Sequence, residues 1–383
     1  MGKKRILFTA RDVGAAQQIV HIAASFRREG YRVSVVADEP GSTVLRAGGL
    51  EHTLFSKRYG FRSSKDMSSG NSREALLKAA GMILEMENPD IVFCGLSTLG
   101  VGIDEAALWW AAPMRKAIPS FQFLDTWGTF NHIGDGYPDV YFVMDRYAEY
   151  LGYGGAKAPI RVVGSPKHYA YAGRPIDRWR EETRATLGIG NDERLIGYFG
   201  QCPDSPGHWH NFEVLVSAVK HCSQRNAHRC RLLVLPHPAY VSGFQPYLDY
   251  LLRKEIRYIE PTRGLSIESI LAACDIVATS YSTVAVDHAF MSCYSKMPIG
   301  AILYLLCGKD IKEHLIKNFG YWKLPLFDMG IGYIAEEDNK VSYMIERMMG
   351  TNKDAEEYHL KTKSLSIKDP SGNILDIVSS LAG

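Results

Sequence analysis

The sequence predicts an α/β protein built from two doubly wound domains with parallel strands. Short apolar runs rich in β-branched residues alternate with longer amphipathic segments, a pattern typical of strands joined by crossover helices. The alternation runs through the first half of the chain and starts again near residue 195. At 383 residues the chain also exceeds what one hydrophobic core usually supports. Together these observations predict two Rossmann-like units in series.

The first half contains five apolar runs short enough to be strands and three amphipathic segments long enough to be helices. In chain order we predict a strand at 5–9, a helix at 15–28, a strand at 32–37, a helix at 73–86, a strand at 90–94, a helix at 104–116, and strands at 120–124 and 140–144. Helices between successive strands imply parallel pairing, because a parallel connection must cross from one end of the sheet to the other.

The second half repeats the pattern after a break at Gly164 to Lys167 and Gly173 to Pro175, where Gly and Pro interrupt both periodicities. In chain order we predict a strand at 195–199, a helix at 212–223, a strand at 231–235, a helix at 244–254, a strand at 257–260, a helix at 267–273, a strand at 276–278 and a helix at 284–291. The predicted domains are therefore 1–165 and 166–350, with a helical tail at 351–383 that can cross back to the first domain.

Bulk composition narrows the class of function. The 44 Lys and Arg residues against 42 Asp and Glu leave a formal charge of only +2, so we expect no nucleic-acid partner. No run approaches the roughly 20 apolar residues of a membrane span, and the apolar start is too short for a signal peptide. The seven cysteines show no CxxC spacing and are expected to be reduced. We expect a cytoplasmic protein, and the sequence leaves open peripheral contact with the inner face of the membrane.

The strand ends of the second domain carry a phosphate-binding pattern. His237 and Pro238 follow one predicted strand, and Ser280, Ser282 and Thr283 lie between another strand and the next helix. Hydroxyls, free backbone N–H groups and the positive end of a helix dipole all suit an anion, and an imidazole adds a donor. The hydroxyls could instead simply cap the helix, which is compatible with phosphate binding.

Residues just after the other strands are the next candidates, because ligands of open α/β sheets lie beyond the carboxyl ends of the strands. Gln201 and His208 follow the strand at 195–199, in a Pro- and Gly-rich loop that we expect to face a ligand. Arg11, Asp12 and Gly14 follow the first strand. The Arg11 and Asp12 side chains are either ligand contacts or a local ion pair.

The second half resembles the nucleotide-binding domain of GT-B glycosyltransferases with a His-Pro motif and a later Ser-rich motif. The resemblance rests on Pro236-His237-Pro238, on the stretch at 265–275 and on the stretch at 280–287. Families of this kind include bacterial sialyltransferases, Kdo transferases and CDP-glycerol glycerophosphotransferases. The resemblance implies a GT-B-like fold with two domains facing across a cleft, a donor phosphate held by His237 and the Ser/Thr hydroxyls, a ribose contact at Glu268, and a cytidine-linked donor.

The first half resembles the same families more loosely, and it is where a catalytic base is expected. Asp125 follows a predicted strand where sialyltransferases place an acidic motif. The sequence continues Trp127-Gly128-Thr129, without the His of the Trp-His-Gly-Thr motif of teichoic acid enzymes. This leaves Asp125 as the preferred base, with Asp135, flanked by two glycines, as its rival. A turn or N-cap role is the alternative for Asp125.

These patterns predict a metal-independent glycosyltransferase that needs no cofactor. The nucleotide-sugar is a substrate, and the acceptor is a glycan, glycolipid or protein. The alternative of the same fold is a UDP-sugar 2-epimerase or hydrolase. Such enzymes are expected to carry a His-Arg-Arg-Glu-Asn segment early in the second domain, where this chain has Gly200 to Asn211. A non-catalytic nucleotide-sugar binder is the third possibility.

Overall fold

A computed structural model describes residues 4–59, 70–97, 101–152, 154–202, 205–225, 229–237, 243–260, 264–319 and 324–382. The chain forms two compact units. The first comprises Met1–Tyr169 together with Ile367–Gly383, and the second comprises Ala170–Ser366. The predicted boundaries lay at residue 165 and residue 351, so the units divide the chain at somewhat different points. Each unit is an α/β layer structure around its own parallel sheet.

The sheet of the first unit contains seven described strands in the order β3-β2-β1-β4-β5-β6-β7, and every pairing is parallel. The strands are β1 (Arg5–Ala10), β2 (Arg32–Ala37), β3 (Thr53–Leu54), β4 (Ile91–Cys94), β5 (Ser120–Leu124), β6 (Val140–Val143) and β7 (Ile160–Val162). The chain winds outward in one direction from β1 and then in the other from β4. The switch point, where ligands of such sheets bind, therefore lies between β1 and β4.

Seven helices accompany the described part of this sheet. They are α1 (Val13–Arg28), α2 (Gly41–Ala47), α3 (Phe55–Tyr59), α4 (Gly70–Glu87), α5 (Ile103–Ala111), α6 (Arg146–Gly152) and α7 (Pro166–Tyr169). Helix α5 was predicted to extend to residue 116, which is wrong. Pro113 has no backbone N–H to donate and its ring clashes with the preceding turn, so the helix ends before it.

The core of the first unit is aromatic along its central strands. The rings of Phe8, Phe93, Phe121 and Phe142 are fully buried, and the Phe93 ring lies 5.2 to 6.4 Å from each of the other three, measured between ring centroids. Rings of this size supply most of the buried apolar area of a sheet face. They hold β1, β4, β5 and β6 in register, and that register fixes the positions of the loops at the carboxyl ends.

The sheet of the second unit contains six described strands in the order β10-β9-β8-β11-β12-β13, again all parallel. The strands are β8 (Glu193–Phe199), β9 (Arg229–Leu235), β10 (Tyr258–Ile259), β11 (Ile276–Thr279), β12 (Ala301–Leu305) and β13 (Tyr333–Ala335). The switch point lies between β8 and β11. The fold class predicted from the sequence is confirmed in both units.

The second unit carries nine helices in its described residues. They are α8 (Ile176–Thr186), α9 (His208–Arg225), α10 (Gln245–Arg253), α11 (Ile267–Ala273), α12 (Val284–Tyr294), α13 (Lys309–Phe319), α14 (Pro325–Asp328), α15 (Asp338–Gly350) and α16 (Lys353–Thr362). A last helix, α17 (Pro370–Leu381), belongs to the first unit and packs on α1. None of the helices in the described ranges is long and apolar enough to cross a bilayer.

Candidate active site

Asp125, the preferred base of the sequence analysis, follows β5 at the carboxyl edge of the first sheet. Part of the residue is accessible to solvent, but its carboxylate Oδ1 is buried and has no hydrogen-bond partner in the described structure. The pKa of Asp125 is raised to about 7. Burial is the largest cause, the charges of Asp12 and Asp104 add to it, and a backbone N–H and Lys167 oppose it. A carboxyl with this pKa can both accept and return a proton near neutral pH.

Gly14 explains how the Asp125 carboxylate comes so close to the first turn of α1. A Cβ atom on Gly14 would lie 1.7 Å from Oδ2 of Asp125, which no side chain could tolerate without moving the carboxylate. Sequence analysis selected Gly14 as part of a ligand loop. In the structure its hydrogen side chain makes the room in which Asp125 sits against the helix start.

Asp135, the rival base, lies in a different environment. Its carboxylate is more than half exposed and accepts a hydrogen bond from Arg115 at 2.6 Å. That hydrogen bond holds the pKa of Asp135 below its ordinary value. A carboxylate that stays ionised in a surface ion pair is a poor proton acceptor near neutral pH. The structure therefore favours Asp125 over Asp135 as the proton-transfer group.

Arg11 and Asp12 form the local ion pair that was one of their two predicted roles. Nε of Arg11 lies 2.9 Å from Oδ1 of Asp12, and its Nη1 donates to the carbonyl of Val101. Asp12 is the N-cap residue of α1, but its side chain caps no backbone N–H of that helix. The pair thus lies beside the turn that leads to Gly14, at the switch point of the first sheet.

Sequence analysis missed two charged residues that act on Asp125, Asp104 and Lys167, and the acid Glu105 next to Asp104 in the chain. Asp104 and Glu105 are fully buried in the first turn of α5, and Lys167 is half-buried in α7. Burial raises the pKa of both carboxyls, and the charge of Asp104 raises that of Glu105 further. The signal that could have found them is two adjacent acids at the start of a segment that is otherwise apolar, since unpaired carboxyls rarely enter such a helix.

The carboxyl edge of the second sheet is a closed network of neutral polar groups. Gln201, just after β8, donates from Nε2 to the Thr279 hydroxyl at 3.0 Å, and that hydroxyl donates to the carbonyl of Phe199. Gln201 and Thr279 therefore tie the ends of the two strands that flank the switch point. The side chain of Gln201 is buried and engaged within the protein.

His208 was predicted in a loop that faces a ligand, and the loop placement was wrong. It is the first residue of α9 and is only 4% exposed. Its Nδ1 accepts from the backbone N–H of Gln201 at 3.2 Å, so Nε2 carries the proton and donates to the Tyr247 hydroxyl at 2.8 Å. Burial and the neighbouring His237 lower the pKa of His208. Both ring nitrogens of His208 are therefore occupied by hydrogen bonds within the protein, one of them to the loop that follows β8.

Asn211, which sequence analysis did not select, fixes the Ser280 end of the site. Its Nδ2 donates to the Ser280 hydroxyl at 2.7 Å and to the carbonyl of Leu305 at 2.8 Å, and its Oδ1 accepts from the backbone N–H of Cys307 at 3.1 Å. Ser280 is fully buried. Its hydroxyl therefore lies under the loop, where it holds the strand end.

Ser282 and Thr283 stand at the start of α12, where the phosphate pattern placed them. Ser282 is half-buried, and its hydroxyl accepts from the backbone N–H of Val284 at 3.4 Å, which is a weak cap. Thr283 is the exposed N-cap residue, and its side chain makes no cap hydrogen bond. The Thr283 hydroxyl thus faces solvent beside the positive end of an 11-residue helix.

His237 and Glu268 occupy two further parts of the second unit. His237 is half-buried just beyond β9, and its backbone N would lie 3.4 Å from a Cβ built on Gly200. Pro238 lies outside the described residues. Glu268 is half-buried in the first turn of α11, and burial together with the charges of Asp287 and Glu268 raises the pKa of Tyr171. His237 thus joins the Gly200 loop, and Glu268 belongs to a separate acidic group with Asp287.

Comparisons with known proteins give a fold and no family. No protein-family model matches the chain, and no curated protein matches it. Among solved structures, the UDP-GlcNAc 2-epimerase of Neisseria meningitidis bound to UDP-GlcNAc aligns over 98% of this chain and 100% of its own, with a TM-score of 0.67 and 11% identity. A glycosyltransferase of Rickettsia africae aligns over 100% and 99%, with a TM-score of 0.62 and 13% identity.

A third match is the HepE protein of Anabaena in complex with UDP and glucose, over 98% of this chain and 100% of that one, with a TM-score of 0.59 and 15% identity. Other 2-epimerases match similarly. At these identities the likeness shows the fold alone, the GT-B type with two Rossmann-like units. The nucleotide named in these structures is uridine, and none of them supports the cytidine-linked donor that the sequence resemblance implied.

Proposed function

We propose that the chain is an enzyme acting on a UDP-linked sugar and that its reaction is epimerisation at C2 of that sugar, with or without release of UDP. The observation that carries the proposal is Asp125, whose pKa is raised to about 7 and whose Oδ1 is buried without a partner at the carboxyl edge of the first sheet. The uridine-sugar enzymes with the same fold, several of which are 2-epimerases, supply the substrate class.

The chemistry of the proposed reaction asks for such a group. A base takes the proton from C2 while the C1–O bond to UDP breaks, so the C–H electron pair forms a C1–C2 double bond and UDP leaves with the electrons of the C1–O bond. An acid then delivers a proton to the opposite face of C2, and UDP or water adds to C1, which gives the epimer or the free epimeric sugar. Asp125 serves as one of these two groups, because a pKa near the working pH lets the same carboxyl exist in both forms. The reaction draws on no metal and no cofactor in this proposal.

The second unit would bind the nucleotide. The Ser282 and Thr283 hydroxyls and the first turn of α12 offer donors to the diphosphate, and His237 adds an imidazole. Three other predicted donor-site residues would not contact the nucleotide and would instead hold the strand ends in place. They are Gln201, His208 and Ser280, whose side chains form hydrogen bonds within the protein. Glu268 is the proposed ribose contact, because a carboxylate accepts well from vicinal hydroxyls.

Glycosyl transfer is the second candidate function. It is favoured by the segment from Gly200 to Asn211, which lacks the His-Arg-Arg-Glu-Asn sequence expected of the epimerases. Transfer needs one base for the acceptor hydroxyl, and Asp125 meets that need by itself. The acceptor would be a glycan, glycolipid or protein, and a glycolipid would bring the enzyme to a membrane surface. A third outcome is a nucleotide-sugar binder without turnover.

One incubation separates these candidates. The protein is mixed with UDP-GlcNAc in D₂O and followed by proton NMR. C2 epimerisation gives the epimer, or the free epimeric sugar and UDP, with loss of the C2 proton signal through deuterium incorporation. Transfer gives UDP only when an acceptor is present and leaves the C2 proton in place. Retention of the C2 proton with no epimer would overturn the epimerase proposal.

Matched variants and a binding panel complete the test. Asp125→Asn should abolish turnover, whereas Asp135→Asn, in its surface ion pair, should keep it. A thermal-shift panel of UDP, CMP, CDP, GDP and dTDP should show a selective rise with UDP for the parent protein and for Asp125→Asn. A selective rise with CMP or CDP would instead restore the cytidine donor. A rise with UDP but no turnover of any nucleotide-sugar would indicate the binder.

A further inference from the structure

The buried carboxylate of Asp104 joins two loops that meet at the switch point of the first sheet. Its Oδ1 accepts from the Thr9 hydroxyl at 2.5 Å, and its Oδ2 accepts from the Ser97 hydroxyl at 2.8 Å and from the backbone N–H of Arg11 at 3.1 Å. Thr9 and Arg11 belong to the end of β1 and its turn, while Ser97 follows β4. Burial raises the pKa of Asp104, and the three donors oppose that effect by favouring the ionised form.

Glu105, the next residue, closes the second of these loops. Its Oε1 accepts from the backbone N–H of Ser97 at 3.0 Å, and its Oε2 accepts from that of Gly102 at 2.7 Å. The packing here is tight, since a Cβ on Gly102 would lie 2.5 Å from Oγ of Ser97 and 2.9 Å from Cδ of Arg11. The two carboxyls therefore hold the start of α5, the β4 loop and the Arg11 turn as one unit.

The Arg11 turn leads directly to the contact that confines Asp125. Asp12 is the N-cap residue of α1, and Gly14 in the first turn lies against Oδ2 of Asp125. Because this contact leaves no room even for a methyl group, a small shift of the turn must move the Asp125 carboxylate or release it. The position of Asp125 thus depends on the groups that fix the turn, and Asp104 holds its backbone.

We propose that Asp104 is a positioning residue for Asp125: it ties the β1–α1 turn to the β4 loop so that the first turn of α1 meets the Asp125 carboxyl in a fixed geometry, and it places a negative charge nearby. The catalytic importance of this arrangement rests on the proposed function of Asp125. The tie and its effect on the proton affinity of Asp125 are properties of the unliganded protein.

The charged groups that act on Asp125 come from several elements and set the expected result. Asp12, before α1, and Asp104, on α5, favour its protonated form, while Lys167, on α7, favours its ionised form. Removal of the charge at Asp104 should therefore lower the pH at which Asp125 titrates. A role in folding alone would leave that titration unchanged.

The test is the titration of Asp125 in the unliganded protein, followed by its carboxyl band in isotope-edited infrared spectra. The band is assigned by its absence in Asp125→Asn. Asp104→Asn should titrate at lower pH than the parent, and its first-turn amides in α1 should exchange faster with D₂O. Asp12→Asn should also lower the pH at which Asp125 titrates, but the amides of α1 should exchange at a rate closer to that of the parent. The reason is that Asp12 accepts from the Arg11 side chain and not from its backbone.

Asp90→Asn is the matched control, because Asp90 also accepts three hydrogen bonds, all from Arg5, but at the amino end of the strands of the same sheet. It should leave the Asp125 titration unchanged. If Asp104→Asn does not fold, Thr9→Val, which removes one donor to Asp104, should give a smaller shift in the same direction. If Asp104→Asn, or Thr9→Val in its place, shows the same Asp125 titration and the same α1 exchange as the parent, the proposal is overturned.

The infrared titration tests the positioning role of Asp104 whether or not the proposed function is correct. If Asp125→Asn keeps full turnover, the catalytic role of Asp125 fails, yet the infrared titration still decides whether Asp104 positions it. If the titration shifts as expected and Asp125→Asn is inactive, the pH–rate profile of Asp104→Asn should move toward lower pH by the same amount.

Discussion

The carboxyl edges of the two sheets have opposite polar chemistry. At the edge of the first sheet the carboxyls of Asp104, Glu105 and Asp125 are buried wholly or in part, and their pKa values are raised. At the edge of the second sheet the buried groups are amides, hydroxyls and an imidazole, each bonded to a neighbour. Near neutral pH the carboxyls of Glu105 and Asp125 at the first edge can carry a proton, whereas the bonded groups at the second edge are uncharged.

This difference indicates a division of labour. A group that exchanges protons near neutral pH must keep an unfavourable environment for its charge, which costs stability. A site that recognises a nucleotide gains from donors held in place before the ligand arrives. The proposed function places proton transfer in the first unit and nucleotide binding in the second, and the predictions below separate the two.

The largest effect is expected for turnover in Asp125→Asn. Loss of a positioned base or acid typically costs 10²- to 10⁴-fold in rate, and the amide cannot replace it near neutral pH. Binding of UDP should be unchanged, since the nucleotide donors belong to the second unit. Steady-state kinetics and calorimetric titration with UDP measure the two separately. A loss of UDP affinity as large as the loss of rate would contradict the separation of proton transfer and nucleotide binding between the two units.

The second effect is on stability and its dependence on pH. The folded-state pKa of Asp125 lies above its unfolded value, so the unfolded chain loses its proton first as the pH rises. The stability of the parent should therefore fall between pH 4 and pH 8, and the neutral amide of Asp125→Asn should remove this contribution. The variant should be more stable than the parent at pH 8 by roughly 2–4 kcal/mol.

Urea unfolding of both proteins at pH 5 and pH 8 measures this difference. Asp135→Asn is the control and should unfold at nearly the same urea concentration as the parent at either pH, because exposed ion pairs contribute little to stability. A difference between parent and Asp125→Asn that does not grow with pH would contradict the raised pKa.

Asn211→Ala should weaken the hydrogen-bond network at the carboxyl edge of the second sheet. It leaves the Ser280 hydroxyl, the Leu305 carbonyl and the Cys307 N–H without their partner, and unpaired buried groups of this kind should cost roughly 2–3 kcal/mol in unfolding free energy. The affinity for UDP should fall, while the pH at which Asp125 titrates should not change. His210→Ala, one residue away in an exposed pair with Asp338, is the control for both.

Gly14→Ala should give the smallest of these effects on stability. Alanine favours a helix, but its Cβ would overlap the Asp125 carboxylate, so the net cost should be about 1–3 kcal/mol, typical of overpacking. Turnover should fall more than UDP affinity, because the carboxylate must move. Ala15→Gly, in the same first turn, tests whether helix propensity alone explains the change. Equal turnover in Gly14→Ala and the parent would show that the close contact has no catalytic importance.

The sequence predicted the layers of the fold well because strands and helices leave local periodic signals. The strands at 32–37 and 120–124 and the helix at 267–273 have the predicted bounds. β12 was missed, although its five residues are all apolar and buried. The return of α17 to the first unit depends on its packing against α1, a contact between distant parts of the chain.

The site was predictable only where a strand end marks it. Asp125 and His237 were selected because each follows a buried strand, and their roles remain predictions. Asp104 and Asn211 were not, because their partners lie far along the chain: Thr9 is 95 residues from Asp104, and Cys307 is 96 residues from Asn211. Such contacts arise from tertiary packing and leave no local pattern.

The proposed function depends most directly on the protonation state of the Asp125 carboxyl. Isotope-edited infrared spectra of the unliganded parent protein, with Asp125→Asn subtracted, report the protonation of Asp125 from pH 4 to pH 9. We predict a midpoint near 7, as burial and the neighbouring acids require. A midpoint near 4, the ordinary value for an aspartate, would contradict the assignment of proton transfer to the first unit.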